Sequence, residues 1–171
     1  MRPKNIILIG FMGTGKTVAG RHLAGLLKYN YLDTDDLIEK TEGLSISNIF
    51  KQKSENYFRN LETKVVLTLI DYENFVIATG GGIVLRRENV ENLKKIGALV
   101  LLSSRPEVIY ERLKGNKSRP LLSGDNPLGK IKAILGQRTP IYESAADFEV
   151  DTSDISVDEA ARQIIKNLGD K

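Results

Sequence analysis

Cysteine is absent from the 171-residue sequence, and histidine occurs only once, as His22. Without cysteine the chain can form no disulfide bond, no thiolate metal site and no cysteine nucleophile. A lone histidine in a helical segment is more often structural or exposed than catalytic, so His22 is not a candidate site residue. The absence of cysteine also fits a reducing compartment, and we expect the protein to lie in the cytoplasm.

Long apolar runs and a dominant charge are missing as well. No apolar stretch approaches the roughly 20 residues of a membrane-spanning helix, so a membrane partner is not expected. Basic and acidic residues number 25 and 22, and the formal net charge of +3 is dispersed, which does not indicate nucleic-acid binding. The composition is that of an ordinary globular protein, and the length fits one domain covering residues 1–171. We expect this domain to act as a monomer on small molecules.

Short apolar runs alternate with helical patterns along the chain, which is typical of an α/β fold with a parallel sheet. Five strands are predicted, at residues 5–9, 29–32, 75–78, 99–102 and 148–150. Helical patterns lie between them, including one from 55 to 70, one that opens at Pro106 and one that resumes near Lys130. The last helix is the most regular, because Ser156 and Glu159 form a capping box before an apolar stripe. Together these elements fit one doubly wound domain.

Residues 10–17 read GFMGTGKT and match the phosphate-binding P-loop pattern GxxxxGK[S/T]. An apolar strand precedes the motif and a helical pattern follows it, which is the setting that a P-loop requires. The glycines allow the backbone to fold round a triphosphate with its N–H groups turned inward, and the following helix adds its positive N-terminal dipole. Lys16 is expected to reach the β- and γ-phosphates, and the Thr17 hydroxyl to hold Mg²⁺. The sequence therefore predicts a site for a nucleoside triphosphate.

Two classes of P-loop protein are disfavoured by the rest of the chain. A GTP-binding switch protein would carry a base-reading NKxD, but NKSR at 116–119 lacks the aspartate. A motor or transporter ATPase would usually end a buried strand in acidic residues, whereas the strand at 75–78 runs into threonine and glycines. Acidic residues instead follow the second strand, as DTD at 33–35. Since parallel strands place their carboxyl ends at one edge, the P-loop, this acidic pair and the glycines at 80–82 are expected to share a crevice.

Several features allow two interpretations from the residues alone. Asp33 and Asp35 can divide between them Mg²⁺ binding and activation of an attacking hydroxyl, but an aspartate at 35 or 36 is equally expected as a helix N-cap. The glycines at 80–82 either let a substrate approach the backbone or form a tight turn. Arginines 59, 119 and 138 can each bind an anion bidentately, yet their spacing does not separate them from other basic residues.

Residues 115–129 interrupt the helical periodicity with glycines, prolines and scattered charge, and are predicted to form a mobile loop. The residues by themselves therefore support a small-molecule phosphotransferase that uses ATP with Mg²⁺, and they do not select its substrate.

The ordered set of motifs resembles the shikimate kinase family. The similarity covers nearly the whole chain, with GFMGTGKT at 10–17, DTD at 33–35, FR at 58–59 with Glu62, ATGGG at 78–82, RPLL at 119–122 and RTPIY at 138–142. The resemblance implies a P-loop kinase fold with a five-stranded parallel sheet flanked by helices and a mobile lid at about 115–129. It also implies transfer of the γ-phosphate of ATP to the 3-hydroxyl of shikimate, with Mg²⁺ as cofactor.

The resemblance further implies roles for individual residues. Lys16, Asp35 and Arg119 would be catalytic, and Thr17 and Asp33 would lie at the metal. Nucleotide contacts are implied for the P-loop and residues around it, namely Gly13, Thr14, Gly15, Lys16, Thr17, Val18, Arg112 and Arg119. Substrate contacts are implied for the acidic motif, the glycines and two arginines, namely Asp35, Arg59, Gly80, Gly81, Gly82 and Arg138. Among these, Arg59 and Arg138 would clamp the shikimate carboxylate, and Arg112 would stack near adenine.

Two other functions compete with this one. A related sugar-acid or nucleotide kinase, such as a gluconate kinase, would share the P-loop frame, but the set of Arg59, Gly81 and Arg138 argues against it. A non-catalytic nucleotide-dependent regulatory module would be expected to lack Lys16, Asp35 or the lid arginine, and all three are present.

Overall fold

The computed structural model describes residues 3–114 and 125–169. Within these residues, five parallel strands form one sheet in the order β2-β3-β1-β4-β5. The strands are β1 (Asn5–Ile9), β2 (Asn30–Asp33), β3 (Phe75–Ala78), β4 (Ala98–Ser103) and β5 (Phe148–Asp151). The predicted α/β class and all five predicted strands are confirmed, with no boundary off by more than about one residue.

Helices connect the strands and cover both faces of the sheet. They are α1 (Lys16–Leu27), α2 (Thr34–Glu42), α3 (Ile46–Gln52), α4 (Glu55–Thr68), α5 (Arg87–Ile96), α6 (Pro106–Leu113), α7 (Pro127–Ala145) and α8 (Val157–Gly169). A 3₁₀ turn at Leu69–Asp71 ends the helix predicted for 55–70, and another covers Ile83–Leu85. The capping box before α8 is confirmed, since the Ser156 hydroxyl accepts from the Glu159 N–H while the Glu159 carboxylate accepts from the Ser156 N–H.

The C-terminal boundary of the loop predicted at 115–129 is wrong, because the loop ends before residue 127. Residues 127–129 belong to the first turn of α7, which begins at Pro127 rather than near Lys130. Asn126 caps this helix, because its side-chain oxygen accepts a hydrogen bond from the Gly129 N–H at 2.9 Å. Residues 115–124, and with them most of the predicted lid, lie outside the described residues.

Two apolar layers hold the sheet between the helices. Alternate residues of β1 point to opposite faces, so Ile6 and Leu8 pack with α1 and α8, whereas Ile7 and Ile9 pack with the helices on the other face. All four side chains are buried. Burial on both faces explains why β1, β3 and β4 read as continuous apolar runs rather than as alternating patterns.

The strand order determines where a ligand can bind. The central strand β1 pairs with β3 on one side and with β4 on the other, so the connections diverge at its carboxyl end. Ligand crevices in open α/β sheets form at such a point. The P-loop leaves β1 there, the glycines at 80–82 follow the neighbouring β3, and Asp33 ends the edge strand β2. Among the described residues, no helix is long and apolar enough to cross a membrane.

Candidate active site

The P-loop backbone adopts conformations that favour glycine. Gly10, Gly13 and Gly15 have φ angles of 138°, 78° and 92°, a region that other residues rarely enter. Gly15 is also the N-cap of α1 and supplies no side-chain cap to the first N–H groups of that helix. A loop of this shape that runs into a helix N-terminus is suited to binding phosphate.

Lys16 lies over the loop and is mostly buried. Its Nζ donates hydrogen bonds to the carbonyl oxygens of Gly10 at 2.7 Å and Phe11 at 2.8 Å. Thr14 also supports the loop, because its hydroxyl donates to the Phe11 carbonyl at 2.8 Å. The ammonium group is therefore positioned inside the phosphate-binding loop rather than on the outer surface of α1.

Asp33 connects the second strand to the start of α1. One carboxylate oxygen accepts from the Asp35 N–H at 2.9 Å, which makes Asp33 the N-cap of α2. The other accepts from the hydroxyls of Thr17 at 3.4 Å and Tyr31 at 3.3 Å. Burial and the nearby Asp33 carboxylate raise the pKa of Tyr31 to about 12, so Tyr31 stays protonated as a donor. The predicted cap at Asp35 or Asp36 is wrong, because both lie in the first turn of α2.

Thr34 joins the carboxyl ends of two strands. It is buried, and its hydroxyl accepts from the Gly80 N–H at 3.1 Å. The next connection is made by Thr79, whose hydroxyl donates to the Leu8 carbonyl of β1 at 2.9 Å. These bonds place the Asp35 side chain against Gly80, where an added Cβ would lie 2.5 Å from Asp35 Oδ1. The acidic motif and the glycines therefore do share one crevice, as expected.

The glycines at 80–82 form a turn and also lie close to charged side chains. None of the three has a positive φ. A Cβ added to Gly82 would lie 2.0 Å from Nη1 of Arg59, and one added to Gly80 would meet Asp35. The missing side chains let two charged groups of the protein lie against the backbone, and the segment also forms the predicted tight turn, since the Ile83 N–H donates to the Gly80 carbonyl at 3.2 Å. Approach of a substrate to these glycines stays a prediction.

Glu62 holds Arg59 in this position. The Arg59 guanidinium donates to Glu62 at 2.7 Å and to Glu55 at 2.9 Å. Glu62 is fully buried, and its Oε1 has no hydrogen-bond partner among the described residues. Burial raises the pKa of the Glu62 carboxyl, against the opposing effect of Arg59 and Arg138. Burial by itself lowers the pKa of Arg59, but the Glu62 and Glu55 carboxylates outweigh this effect and raise that pKa above its ordinary value. Arg59 therefore remains charged.

Arg138 brings a second positive charge from α7. Its guanidinium acts electrostatically on both Glu62 and Tyr142. Tyr142, one turn further along α7, is buried and donates its hydroxyl hydrogen to the Gly81 carbonyl. Arg59 and Arg138 come from separate helices, yet both act electrostatically on the same buried carboxylate, Glu62.

A separate pocket of about 330 Å³ adjoins the outer side of the P-loop. The walls come from the P-loop, α1, α6 and the segment from β5 into α8, through Gly13, Thr14, Gly15, Val18, Ala19, Arg112, Leu113, Thr152, Ile155, Ser156, Val157 and Ala160. Arg112 is fixed by hydrogen bonds to the carbonyls of Gly13 at 3.1 Å and Thr152 at 2.6 Å. Thr152 in turn donates to the Thr14 carbonyl at 2.9 Å, so this wall is tied to the phosphate loop.

A family model described as shikimate kinase matches residues 12–169. The chain belongs to the shikimate kinase family. It is 45% identical over 163 residues to a shikimate kinase from Caldanaerobacter subterraneus subsp. tengcongensis, covering 95% of each sequence. It also superposes on the structure of a shikimate kinase from Acinetobacter baumannii in complex with shikimate, with a TM-score of 0.92, 38% identity and coverage of 98% of this chain and 93% of the other.

A more distant structural likeness concerns the fold alone. A gluconokinase from Sinorhizobium meliloti superposes with a TM-score of 0.60 at 17% identity, over 98% of this chain and 93% of the other. Identity at this level shows a shared architecture and carries no substrate assignment. The resemblance to the shikimate kinase family that the motifs indicated is confirmed by the family match and by the curated relatives.

The structure gathers most of the predicted site residues of this shikimate kinase family member along one edge of the sheet. The crevice is surrounded by the P-loop, the acidic motif, the glycines at 80–82 and Arg59. Arg138 acts electrostatically on Glu62, which holds Arg59, and the adjoining pocket is lined by Val18 and Arg112. Val18 is 59% exposed, so its contact with a ligand would be through a pocket wall rather than the core. Arg119 lies outside the described residues, and its predicted position stays a prediction.

Sequence reasoning gave no role to four residues that build this site. Thr34, Glu62, Tyr142 and Thr152 are all buried and each bonds to a residue of the site. Thr34 lies between the two aspartates of DTD, Glu62 follows FR at 58–59, and Tyr142 ends RTPIY. Their position within or next to these motifs could have marked them as site residues. Thr152 had no such signal, because only the fold brings β5 to the P-loop.

Proposed function

We propose that this protein transfers the γ-phosphate of ATP to the 3-hydroxyl of shikimate, giving shikimate 3-phosphate and ADP. The observation that carries the proposal is the pair of arginines, Arg59 and Arg138, at a buried carboxylate next to a P-loop. Membership of the shikimate kinase family and the superposition on a relative solved with shikimate support it.

Substrate binding is assigned to the crevice beside the glycines. Arg59 and Arg138 would hold the shikimate carboxylate, since planar guanidinium groups suit a carboxylate and remain charged. Gly80, Gly81 and Gly82 would let the ring lie against the backbone. Asp35 would bind the substrate hydroxyls. Glu62 would act indirectly, by holding Arg59 through the 2.7 Å ion pair.

ATP would bind at the P-loop, with its base on the side of the loop that faces away from the substrate crevice. Backbone N–H groups of Gly13, Thr14 and Gly15, together with Lys16, would hold the phosphates. The base would occupy the pocket of about 330 Å³ that Val18 and Arg112 line. Arg119 would reach the transferring phosphoryl group from the lid at 115–129, and this remains a prediction because residues 115–124 are not described.

Magnesium fits the oxygen donors at the end of β2. Thr17 Oγ1 and Asp33 Oδ2 lie 3.4 Å apart at the start of α1. No group of three or more acidic, histidine or cysteine side chains that could hold a metal occurs in residues 3–114 or 125–169. One hydroxyl and one carboxylate, completed by phosphate oxygens and water, are a set that Mg²⁺ commonly uses. When bound, Mg²⁺ would neutralise phosphate charge.

In the transfer step, Asp35 would accept the proton of the 3-hydroxyl as the substrate oxygen attacks the γ-phosphorus. The bond from that phosphorus to the β–γ bridging oxygen breaks, and ADP leaves with the bridging oxygen. Lys16 would stabilise the charge that develops on the phosphoryl oxygens. The protein therefore contributes mainly orientation and charge.

The test is an ADP-release assay with shikimate, quinate, gluconate and nucleoside monophosphates, each with ATP and Mg²⁺. Turnover restricted to shikimate, with a product enlarged by one phosphoryl group in mass spectrometry, supports the proposal. Preference for gluconate would indicate a sugar-acid kinase, and nucleotide binding without turnover of any substrate would indicate a regulatory module. The monomeric state, the lid, the absence of nucleic-acid and membrane partners and the cytoplasmic location stay predictions.

A further inference from the structure

We propose that Arg105 is a positioning residue for the nucleotide, which fixes the segment 152–155 that forms one wall of the base pocket. The proposal rests on the placement of the ATP base in the pocket of about 330 Å³ under Proposed function. It gives a role to an arginine that lies outside every motif quoted above and outside the lining of the pocket itself. Arg105 would not touch ATP, and would act on it only through this wall.

The segment 152–155 lines the pocket with its two ends. Thr152 and Ile155 are wall residues, whereas Ser153 and Asp154 between them are not among the residues that line it. Thr152 is buried and bonded to the P-loop, but Asp154 is exposed, so packing against the core does not fix the middle of the segment. The position of the wall at Ile155 therefore depends on the contacts that hold Ser153 and Asp154.

Arg105 holds these two residues through three hydrogen bonds. Its guanidinium donates from Nη1 and Nη2 to the two carboxylate oxygens of Asp154, at 2.5 and 2.6 Å. Its backbone N–H donates to the Ser153 hydroxyl at 2.9 Å. A bidentate pair between arginine and carboxylate fixes orientation as well as distance. One residue therefore holds the middle of the segment in a single arrangement.

The place of Arg105 in the fold suits this role. Arg105 is the N-cap of α6, directly before the proline that opens the helix. Arg112, in the last turn of the same helix, donates to the Thr152 carbonyl at 2.6 Å. Both ends of α6 therefore hold the same wall, Arg112 at residue 152 and Arg105 at residues 153 and 154. Because Arg112 also bonds to the Gly13 carbonyl, α6 connects this wall to the phosphate loop.

The ion pair is charged at neutral pH, but it is open to solvent. Hydrogen bonding from Arg105 lowers the pKa of the Asp154 carboxyl below its ordinary value, so the carboxylate stays ionised. The side chains of Arg105 and Asp154 are 52% and 71% exposed. Salt screens the attraction between exposed charges. We therefore expect a modest effect that is confined to binding of the base and that decreases at high ionic strength.

The first experiment compares Arg105→Ala with a matched control, Arg87→Ala. Arg87 forms another exposed ion pair, with Glu91 at 2.7 Å, on α5, which contributes none of the described pocket residues. For Arg105→Ala we expect calorimetric titration with ADP and Mg²⁺ to give a Kd about 2- to 5-fold higher, the range for one exposed pair of good geometry. The backbone bond to Ser153 remains in this variant, so its melting temperature should match that of the control.

Inorganic pyrophosphate with Mg²⁺ is the second probe, because it carries phosphates like those of ADP without the base. Its Kd and the KM for shikimate should be the same in Arg105→Ala and in Arg87→Ala. At about 1 M salt, the difference in ADP affinity between the wild type and Arg105→Ala should shrink. Equal weakening of ADP and pyrophosphate would refute the positioning of the base wall. An ADP affinity equal to that of the control would refute it as well.

A double-mutant cycle tests whether Arg105 acts through Asp154. If it does, Arg105→Ala should raise the Kd for ADP little further in an Asp154→Ala background. Multiplicative effects of the two changes would overturn the proposal, since Arg105 would then act on the nucleotide by another route. The charge-exchanged protein Arg105→Asp/Asp154→Arg should recover part of the ADP affinity that each single reversal loses. No recovery would count against the ion pair.

Failure of the proposed function would look different. If the wild-type protein turns over no shikimate, the proposed function falls before any variant is compared. If the wild type binds ADP no more tightly than pyrophosphate, the placement of the base in this pocket falls. If wild-type turnover and ADP binding are as proposed but Arg105→Ala matches Arg87→Ala, only the role of Arg105 falls.

Discussion

Replacing Gly82 by alanine tests the substrate site most directly, because the expected damage follows from the close approach of Arg59 to this glycine. The new Cβ would lie 2.0 Å from Nη1, 2.5 Å from Cζ and 2.7 Å from Nη2 of Arg59. Carbon and nitrogen atoms pack at roughly 3.5 Å, so the guanidinium has to retreat by about 1.5 Å. Its 2.7 Å bond to Glu62 cannot survive a displacement of that size.

The expected magnitude follows from the broken interaction. A hydrogen bond between charged groups contributes about 1.5–3 kcal/mol, so shikimate affinity should fall roughly 10- to 150-fold. The clashing atoms are at the end of a flexible side chain, so the backbone need not move. Loss of the partner of the buried Glu62 should nevertheless lower the free energy of unfolding by about 1–3 kcal/mol.

Isothermal titration calorimetry with shikimate and, separately, with ADP and Mg²⁺ measures the two affinities, and urea unfolding measures stability. Gly25→Ala on α1 is the matched control, because an added Cβ there meets nothing within 4 Å. Its ligand affinities should be those of the wild type. Unchanged shikimate affinity in Gly82→Ala would refute either the role of Arg59 as a clamp or the idea that this glycine positions it. Equal weakening of ADP binding would point to a general structural defect.

Three further outcomes are expected. Lys16→Ala should abolish ADP release while circular dichroism shows a retained fold, and near-normal turnover would refute the P-loop assignment. Asp35→Asn should lower kcat at least ~10²-fold, and an acidic limb of the pH–rate profile that persists in the variant would exclude Asp35 as the titrating base. Burial raises the pKa of Glu62, so between the ordinary and the raised value the folded state holds a proton that the unfolded chain has released. The contribution of Glu62 to the free energy of unfolding should therefore fall as pH rises through that window. Urea unfolding measured from about pH 4 upward should show that this free energy depends less on pH in Glu62→Gln than in the wild type.

Local signals were sufficient for most of the elements. The three inner strands β1, β3 and β4 are apolar runs, and burial on both faces requires that pattern wherever such a strand lies in the sheet. The edge strands β2 and β5 are shorter and more exposed, and each ends in an aspartate. The capping box at Ser156 and the proline that opens α6 are likewise local, because both concern backbone groups within one turn. The start of α7 was predicted too late, although a local signal was present. Asn126 followed by Pro127 is itself a typical helix start, but the glycine-rich residues before it led to the prediction of a longer loop.

Only part of the candidate site could be predicted from local sequence. The P-loop could be predicted because its residues follow one another in the sequence. The strand before it and the helix after it adjoin it directly in the chain. Which aspartate capped α2 could not be predicted, since Asp33, Asp35 and Asp36 are chemically alike and only the backbone path of β2 favours Asp33. The reason for the glycines at 80–82 was equally hidden, because their neighbours Arg59 and Asp35 come from distant parts of the chain.

The sequence by itself therefore determined the class of fold, the strands and the phosphate-binding loop, all of which depend on hydrophobic period and on backbone freedom within a few residues. The tertiary structure decided the substrate side. Arg59 and Arg138 stand out from other arginines only because folding brings α4 and α7 close enough for both arginines to act on one buried carboxylate. Charge, burial and close approach between distant residues are properties of packing, and no local pattern encodes them.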